Sequence, residues 1–157
     1  MSYLKAKHLT ELLVSKNLTI SVAESCTGGS LSSSLTSISG ASSYFNCGFI
    51  TYSNQSKIDM LGVNPESIEM YGAVSEKVAH EMVIGAGQRS HSDLAVSITG
   101  IAGPSGGSES KPVGMVCIGF FFGGEVTTTT QFFSGSRSDI VLQSITFALT
   151  ELSSKLS

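Results

Sequence analysis

Apolar residues recur along this chain with two periods, and the switches between them divide it into alternating helices and strands. Leu9, Leu12 and Leu13 share a face with Leu4 and Lys5 a turn or more earlier, which predicts an amphipathic helix that Asn17 stops. Leu18 to Ala23 alternates β-branched and small residues and predicts a buried strand, followed by the turn Glu24-Ser25-Cys26-Thr27-Gly28-Gly29 and a Ser-rich helix over Ser30 to Ile38. Tyr44 to Tyr52 is aromatic and β-branched, a second strand that Asn46 and Gly48 weaken. Ser53 suits the N-cap of a helix over Asn54 to Leu61, Pro65 opens a further helical turn to Met70, and Ser75 caps a longer helix with Val78, Met82 and Val83 at helical spacing. Leu94 to Thr99 is a short apolar strand. Met115 to Phe122 and Val126 to Phe133 flank Gly123-Gly124, a strong two-residue hairpin signal. Ser136 to Leu156 predicts the last helix, with Ile140, Val141, Ser144, Phe147, Ala148 and Leu152 toward the core.

Alternation of helices and strands predicts an α/β fold with a mostly parallel sheet covered on both faces, in which the late hairpin forces one antiparallel strand. No repeat, linker or low-complexity tail interrupts the 157 residues, so a single domain over 1–157 is expected. The segment from Gly100 to Val113 holds four glycines and two prolines and is close to the length at which loops are usually functional.

Composition narrows the possible functions. Charged residues make up 13%, about half of the usual share, so Ser and Thr cover much of the surface. A net charge of −3 with only two arginines, Arg89 and Arg137, argues against nucleic-acid binding. No apolar run reaches the roughly 18 residues of a membrane span, and Met1 to Lys16 lacks the apolar block of a signal peptide. Three scattered cysteines, Cys26, Cys47 and Cys117, form no C-x-x-C pair, so neither a disulfide framework nor a cysteine metal site is indicated. A cytoplasmic domain without cofactor or metal is the expectation.

The candidate chemistry lies at strand ends. The strand ending at Ala23 delivers Ser25 to a helix start, where free N–H groups and the positive end of the dipole favour an anion or a developing oxyanion. Cys26 is the rival nucleophile, since a helix N-terminus also lowers a thiol pKa. The motif by itself leaves Ser25 and Cys26 open, and equally fits a plain cap and tight turn. The three histidines recommend no triad: His8 and His80 fall on helix faces that look solvated, and His91 lies in a polar turn beside Asp93. Lys57 is the better base. It would lie in the first turn of a helix, where the dipole disfavours an ammonium, and a partly dry site would depress its pKa further. Tyr52 ends the preceding strand and could relay a proton or hold the hydroxyl. Arg137 also opens a helix, again a cation at the wrong end of a dipole, which suits either a surface ion pair to Asp139 or Glu125 or a ligand anion. Thr99-Gly100-Ile101-Ala102-Gly103-Pro104 adds a hydroxyl and close backbone approach at another strand end.

Six ordered blocks, Ala23-Glu24-Ser25-Cys26-Thr27-Gly28-Gly29, Thr51-Tyr52-Ser53-Asn54, Gly72-Ala73-Val74-Ser75-Glu76, Thr99-Gly100-Ile101-Ala102-Gly103-Pro104, Lys111-Pro112-Val113-Gly114 and Phe133-Ser134-Gly135-Ser136-Arg137, resemble the C-terminal domain of the CinA family, whose stand-alone form is a nicotinamide-nucleotide amidase of the PncC type. The resemblance implies a three-layer α/β/α sandwich and hydrolysis of the carboxamide of nicotinamide mononucleotide to nicotinate mononucleotide and ammonia. It implies Ser25 as nucleophile, Tyr52 and Lys57 as its activating partners, and substrate binding by Thr99 and Arg137, Arg137 at the 5′-phosphate. Cys26, Thr27, Gly28, Gly29 and Gly100 are further substrate-binding candidates, and backbone N–H groups near Thr27 to Gly29 or on the Gly100 loop would hold the oxyanion. Ser105 and Ser136 depart from the family pattern, in which glycine or aspartate and aspartate, respectively, are commoner. The alternative is a non-catalytic nucleotide-binding or protein-interaction domain linked to competence and DNA damage. Retention of Ser25, Tyr52 and Lys57 together favours the enzyme. A small-molecule nucleotide is the expected partner, and the oligomeric state stays open, dimers being common among such small domains.

Overall fold

In the computed structural model residues 2–157 are described, Met1 lying outside them. Helix α1 (Ser2–Lys16) ends at Asn17, whose φ of 55° is the left-handed conformation of a helix stop. Strand β1 (Ile20–Glu24) starts two residues later than the apolar pattern suggests. Two bonds account for it: the Leu18 amide closes the helix end on Leu13 O, and the Thr19 amide donates to the carboxylate of Asp93, 74 positions away.

The remaining elements are α2 (Ser30–Thr36), a 3-10 turn at Ala41–Ser43, β2 (Phe45–Ile50), α3 (Asn54–Leu61), α4 (Pro65–Tyr71), α5 (Glu76–Ser90), β3 (Leu94–Gly100), β4 (Met115–Phe122), β5 (Glu125–Phe132) and α6 (Arg137–Leu156). Ser53, Asn64, Ser75 and Ser136 each cap the helix they precede, their side-chain oxygens accepting first-turn amides. Gly48, which weakens β2 as a strand former, has a packing role. A Cβ there would lie 2.6 Å from Ser32 Oγ, so the glycine lets α2 sit down on β2.

The five strands form one sheet in the order β2-β1-β3-β4-β5. β1 pairs in parallel with β2 and β3, while β4 pairs antiparallel with both β3 and β5. One strand, β4, therefore runs against the other four, as the hairpin requires. β1 and most of β3 are buried on both faces, which is why they read as nearly continuous apolar runs.

Three layers result. On one face Leu9 and Leu13 of α1, Leu31 and Leu35 of α2, and Ile140, Leu149 and Leu152 of α6 close over Ile20, Val22, Val96 and Ile98. On the other, Leu61 of α3 and Val78, Met82, Val83 and Ala86 of α5 pack on Ala23 and Ala95. Small residues on that side let α5 approach closely, and Ser97 Oγ donates to Ala79 O at 2.7 Å. β1 thus leads through α2 on one face to β2, and β2 returns through α5 on the other face to β3. Connections diverge at the carboxyl ends of β1 and β3, the switch point at which α/β sheets open a crevice. Among the described residues no helix is long and apolar enough to cross a membrane.

Candidate active site

Ser25 follows the last residue of β1, and its amide donates to Ile98 O of the neighbouring β3, which ties the turn to the sheet. Gly28 and Gly29 then take φ of 59° and 105°, a left-handed pair that turns the chain into α2. Beneath the turn lies Glu24, fully buried. Its Oε1 accepts from the Thr27 hydroxyl at 2.6 Å and from the Gly29 and Leu31 amides at 3.3 and 2.9 Å, and its Oε2 accepts from the Ser32 amide and hydroxyl at 2.9 and 2.6 Å. Sequence reasoning quoted Glu24 within a motif and gave it no role. The available signal was an acid placed next to a helix N-terminus.

This arrangement occupies donors expected to face a ligand. The Gly29 amide is taken by Glu24 and the Gly28 amide by Ser25 O. The Thr27 amide and, on the loop after β3, the Ala102 amide have no acceptor among the described residues.

Lys57 enters from α3. The side chain is 1% exposed, and its Nζ lies 3.0 Å from Ser25 Oγ, 2.7 Å from Thr51 O and 3.3 Å from Tyr52 O. Burial pushes its pKa down from 10.5 to about 8. Cys26, next to Ser25, moves the other way: burial raises its thiol to about 11 and outweighs the nearby charges of Arg137 and Lys57. At neutral pH Cys26 is a protonated thiol, and of the two neighbours only Ser25 contacts a base.

Tyr52 is placed differently. It is 58% exposed, and its hydroxyl accepts from Arg137 Nη2 at 2.6 Å rather than contacting Ser25 or Lys57. Arg137 Nη1 donates to Gly103 O at 2.7 Å. Neither Asp139 nor Glu125 pairs with the guanidinium. Asp139 instead completes a capping box with Ser136, accepting from its amide at 2.9 Å, so the serine in place of the commoner aspartate serves as the N-cap of α6. Thr99 is buried, and its hydroxyl donates to Ala73 O at 2.9 Å.

Ser25, Cys26, Tyr52, Lys57, Thr99, Gly100 and Arg137 all line one cavity of about 260 Å3 at the switch point. Thr27 borders instead an adjoining groove that shares Cys26 and Arg137 with the cavity. No histidine lines either space. Asn54, one helical turn before Lys57 on α3, also faces the cavity and was not singled out from sequence.

The CinA C-terminal domain matches residues 3–156. The chain belongs to that family. It is 49% identical over 138 residues to a protein of Enterobacter agglomerans named nicotinamide-nucleotide amidohydrolase PncC, covering 87% of this chain and 84% of that one. It is also 57% identical over 113 residues to a CinA-like protein of Chloroherpeton thalassium, covering 72% of this chain and 27% of that one. The chain spans about a third or less of the length of such longer relatives. A competence or damage-inducible protein from Enterobacter asburiae superimposes with a TM-score of 0.96 at 35% identity, covering 100% of this chain and 99% of that one. Fold and family therefore agree with the resemblance carried by the six blocks.

Proposed function

We propose that this protein is an amidohydrolase that converts nicotinamide mononucleotide to nicotinate mononucleotide and ammonia, with Ser25 as nucleophile and Lys57 as general base. The observation that carries the reading is the contact between a buried lysine amine and a serine hydroxyl at 3.0 Å inside the cavity. A neutral amine has two hydrogens and one lone pair. The Thr51 and Tyr52 carbonyls can take both hydrogens, which leaves the lone pair for the Ser25 O–H.

In the first step Lys57 takes the Ser25 proton as Ser25 Oγ bonds to the carboxamide carbon. Negative charge on the former carbonyl oxygen is met by the free amide of Ala102, which lines the same cavity as Ser25. Collapse of the adduct breaks the C–N bond, Lys57 returns its proton to nitrogen, and ammonia leaves. Water then attacks the acyl-enzyme by the same base, releasing the carboxylate. The ring nitrogen of the nucleotide is cationic, so the amide carbon is more electrophilic than in an ordinary benzamide. Arg137, with neutral partners only, supports binding of the phosphate at the other end of the substrate. Three free cysteines agree with a reducing, cytoplasmic setting.

The test is ammonia release from nicotinamide, its riboside and its mononucleotide by the purified protein. The proposal expects the mononucleotide to be the preferred substrate. Nucleotide binding without ammonia release would instead favour a non-catalytic domain.

A further inference from the structure

Lys57 and Tyr52 do touch, but through the tyrosine's main chain. Nζ has three hydrogen-bond partners, Ser25 Oγ, Thr51 O and Tyr52 O, which saturate its tetrahedral nitrogen and leave no position for the Tyr52 phenol. That phenol points the opposite way, to Arg137 Nη2 at 2.6 Å across 85 positions of sequence. Arg137 is held from its other side by Gly103 O. Both acceptors are uncharged, and the ion pairs among the described residues, Lys7–Glu11 and Lys77–Glu81, do not involve it. A guanidinium fixed at two points over a cavity, with its charge uncompensated, is arranged for an anion arriving from that cavity.

We infer that Tyr52 is a positioning residue for Arg137, setting the guanidinium toward the anionic end of a mononucleotide, and that it carries no proton between Ser25 and Lys57. The inference rests on the amidohydrolase reading for its ligand, and concerns which residue selects a phosphorylated substrate over its unphosphorylated riboside.

Tyr52→Phe removes only the hydroxyl. Binding is measured by calorimetry in a Ser25→Ala background, so that ligand is not consumed, for nicotinamide mononucleotide and for the riboside. Turnover is measured in the otherwise native chain. The expected result is mononucleotide binding weakened about tenfold, the loss of one bond to a charged group, with riboside binding unchanged. Turnover number and the pH midpoint of the rate should stay near wild type. Adding Tyr52→Phe to Arg137→Ala should weaken binding little further, because the two act as one unit. A collapse of turnover with mononucleotide binding intact would overturn the inference and restore a proton relay. Equal weakening for both ligands would overturn it too. Should the native chain release no ammonia at all, the amidohydrolase reading falls, while the binding comparison still decides the role of Tyr52.

Discussion

Glu24 and Ser32 meet twice: the Ser32 amide at 2.9 Å and its hydroxyl at 2.6 Å both donate to Glu24 Oε2. The other side-chain oxygen gathers the Thr27 hydroxyl and two more amides, so a fully buried acidic side chain is satisfied by donors at the start of α2 rather than by a cation. The same carboxylate thereby fixes the turn that carries Ser25.

Glu24→Gln keeps the shape but presents an NH2 group to donors that need an acceptor. Denaturant titration should show a loss of about 2–4 kcal/mol, the scale of one or two buried donors left unmatched. Turnover should fall with it, because the turn holding Ser25 loosens. Unchanged stability would mean that Glu24 does not hold the turn.

Lys57 links the site to stability through pH. Its pKa is about 8 when folded against 10.5 for the free side chain, so between those values the unfolded chain holds a proton that the folded chain has lost. Stability should therefore rise as pH goes from about 8 to about 10.5, and the whole penalty is present below 8. Lys57→Met lacks this term. Compared with that variant, the native chain should gain as much as about 3 kcal/mol across the window. Parallel stability curves for the two proteins would contradict the buried, depressed lysine.

Much of the fold could be read from the chain. Ser53 as a cap, α3 over Asn54–Leu61 and β4 over Met115–Phe122 follow from local chemistry that the tertiary structure leaves alone. At the start of β1 a distant residue helped shift the boundary, as Asp93 takes the Thr19 amide and delays the strand. The site was legible to the same degree. Ser25 and Lys57 were both visible as strand-end and helix-start residues, but local patterning could not show that they touch. The partner of Tyr52 was hidden for a stronger reason: it comes from α6, which meets the end of β2 only after the sheet closes. Glu24 was obscured because an acid in a glycine turn resembles an ordinary surface residue until its burial is known.

Cys26 should prove a bystander to the chemistry. With its thiol raised to about 11 it is protonated at neutral pH, so alkylation by iodoacetamide should be slow at pH 7 and accelerate only in strong alkali. Cys26→Ala should retain most turnover, since the change removes one small side chain from the cavity wall. Rapid alkylation at pH 7 with parallel loss of activity would make Cys26 the nucleophile instead.

The most direct test of the Ser25–Lys57 account is the pH dependence of kcat/KM for ammonia release from nicotinamide mononucleotide, measured on the native chain alongside Ser25→Ala and Lys57→Arg. This quantity reports ionisations of the free enzyme. The native rate should climb along a single limb with its midpoint near 8, the pKa of the buried lysine. Ser25→Ala should be inactive throughout, and Lys57→Arg should lose the limb because its guanidinium stays charged. A native profile that is flat from mildly acidic to alkaline pH, or a Ser25→Ala variant that still releases ammonia, would contradict the account.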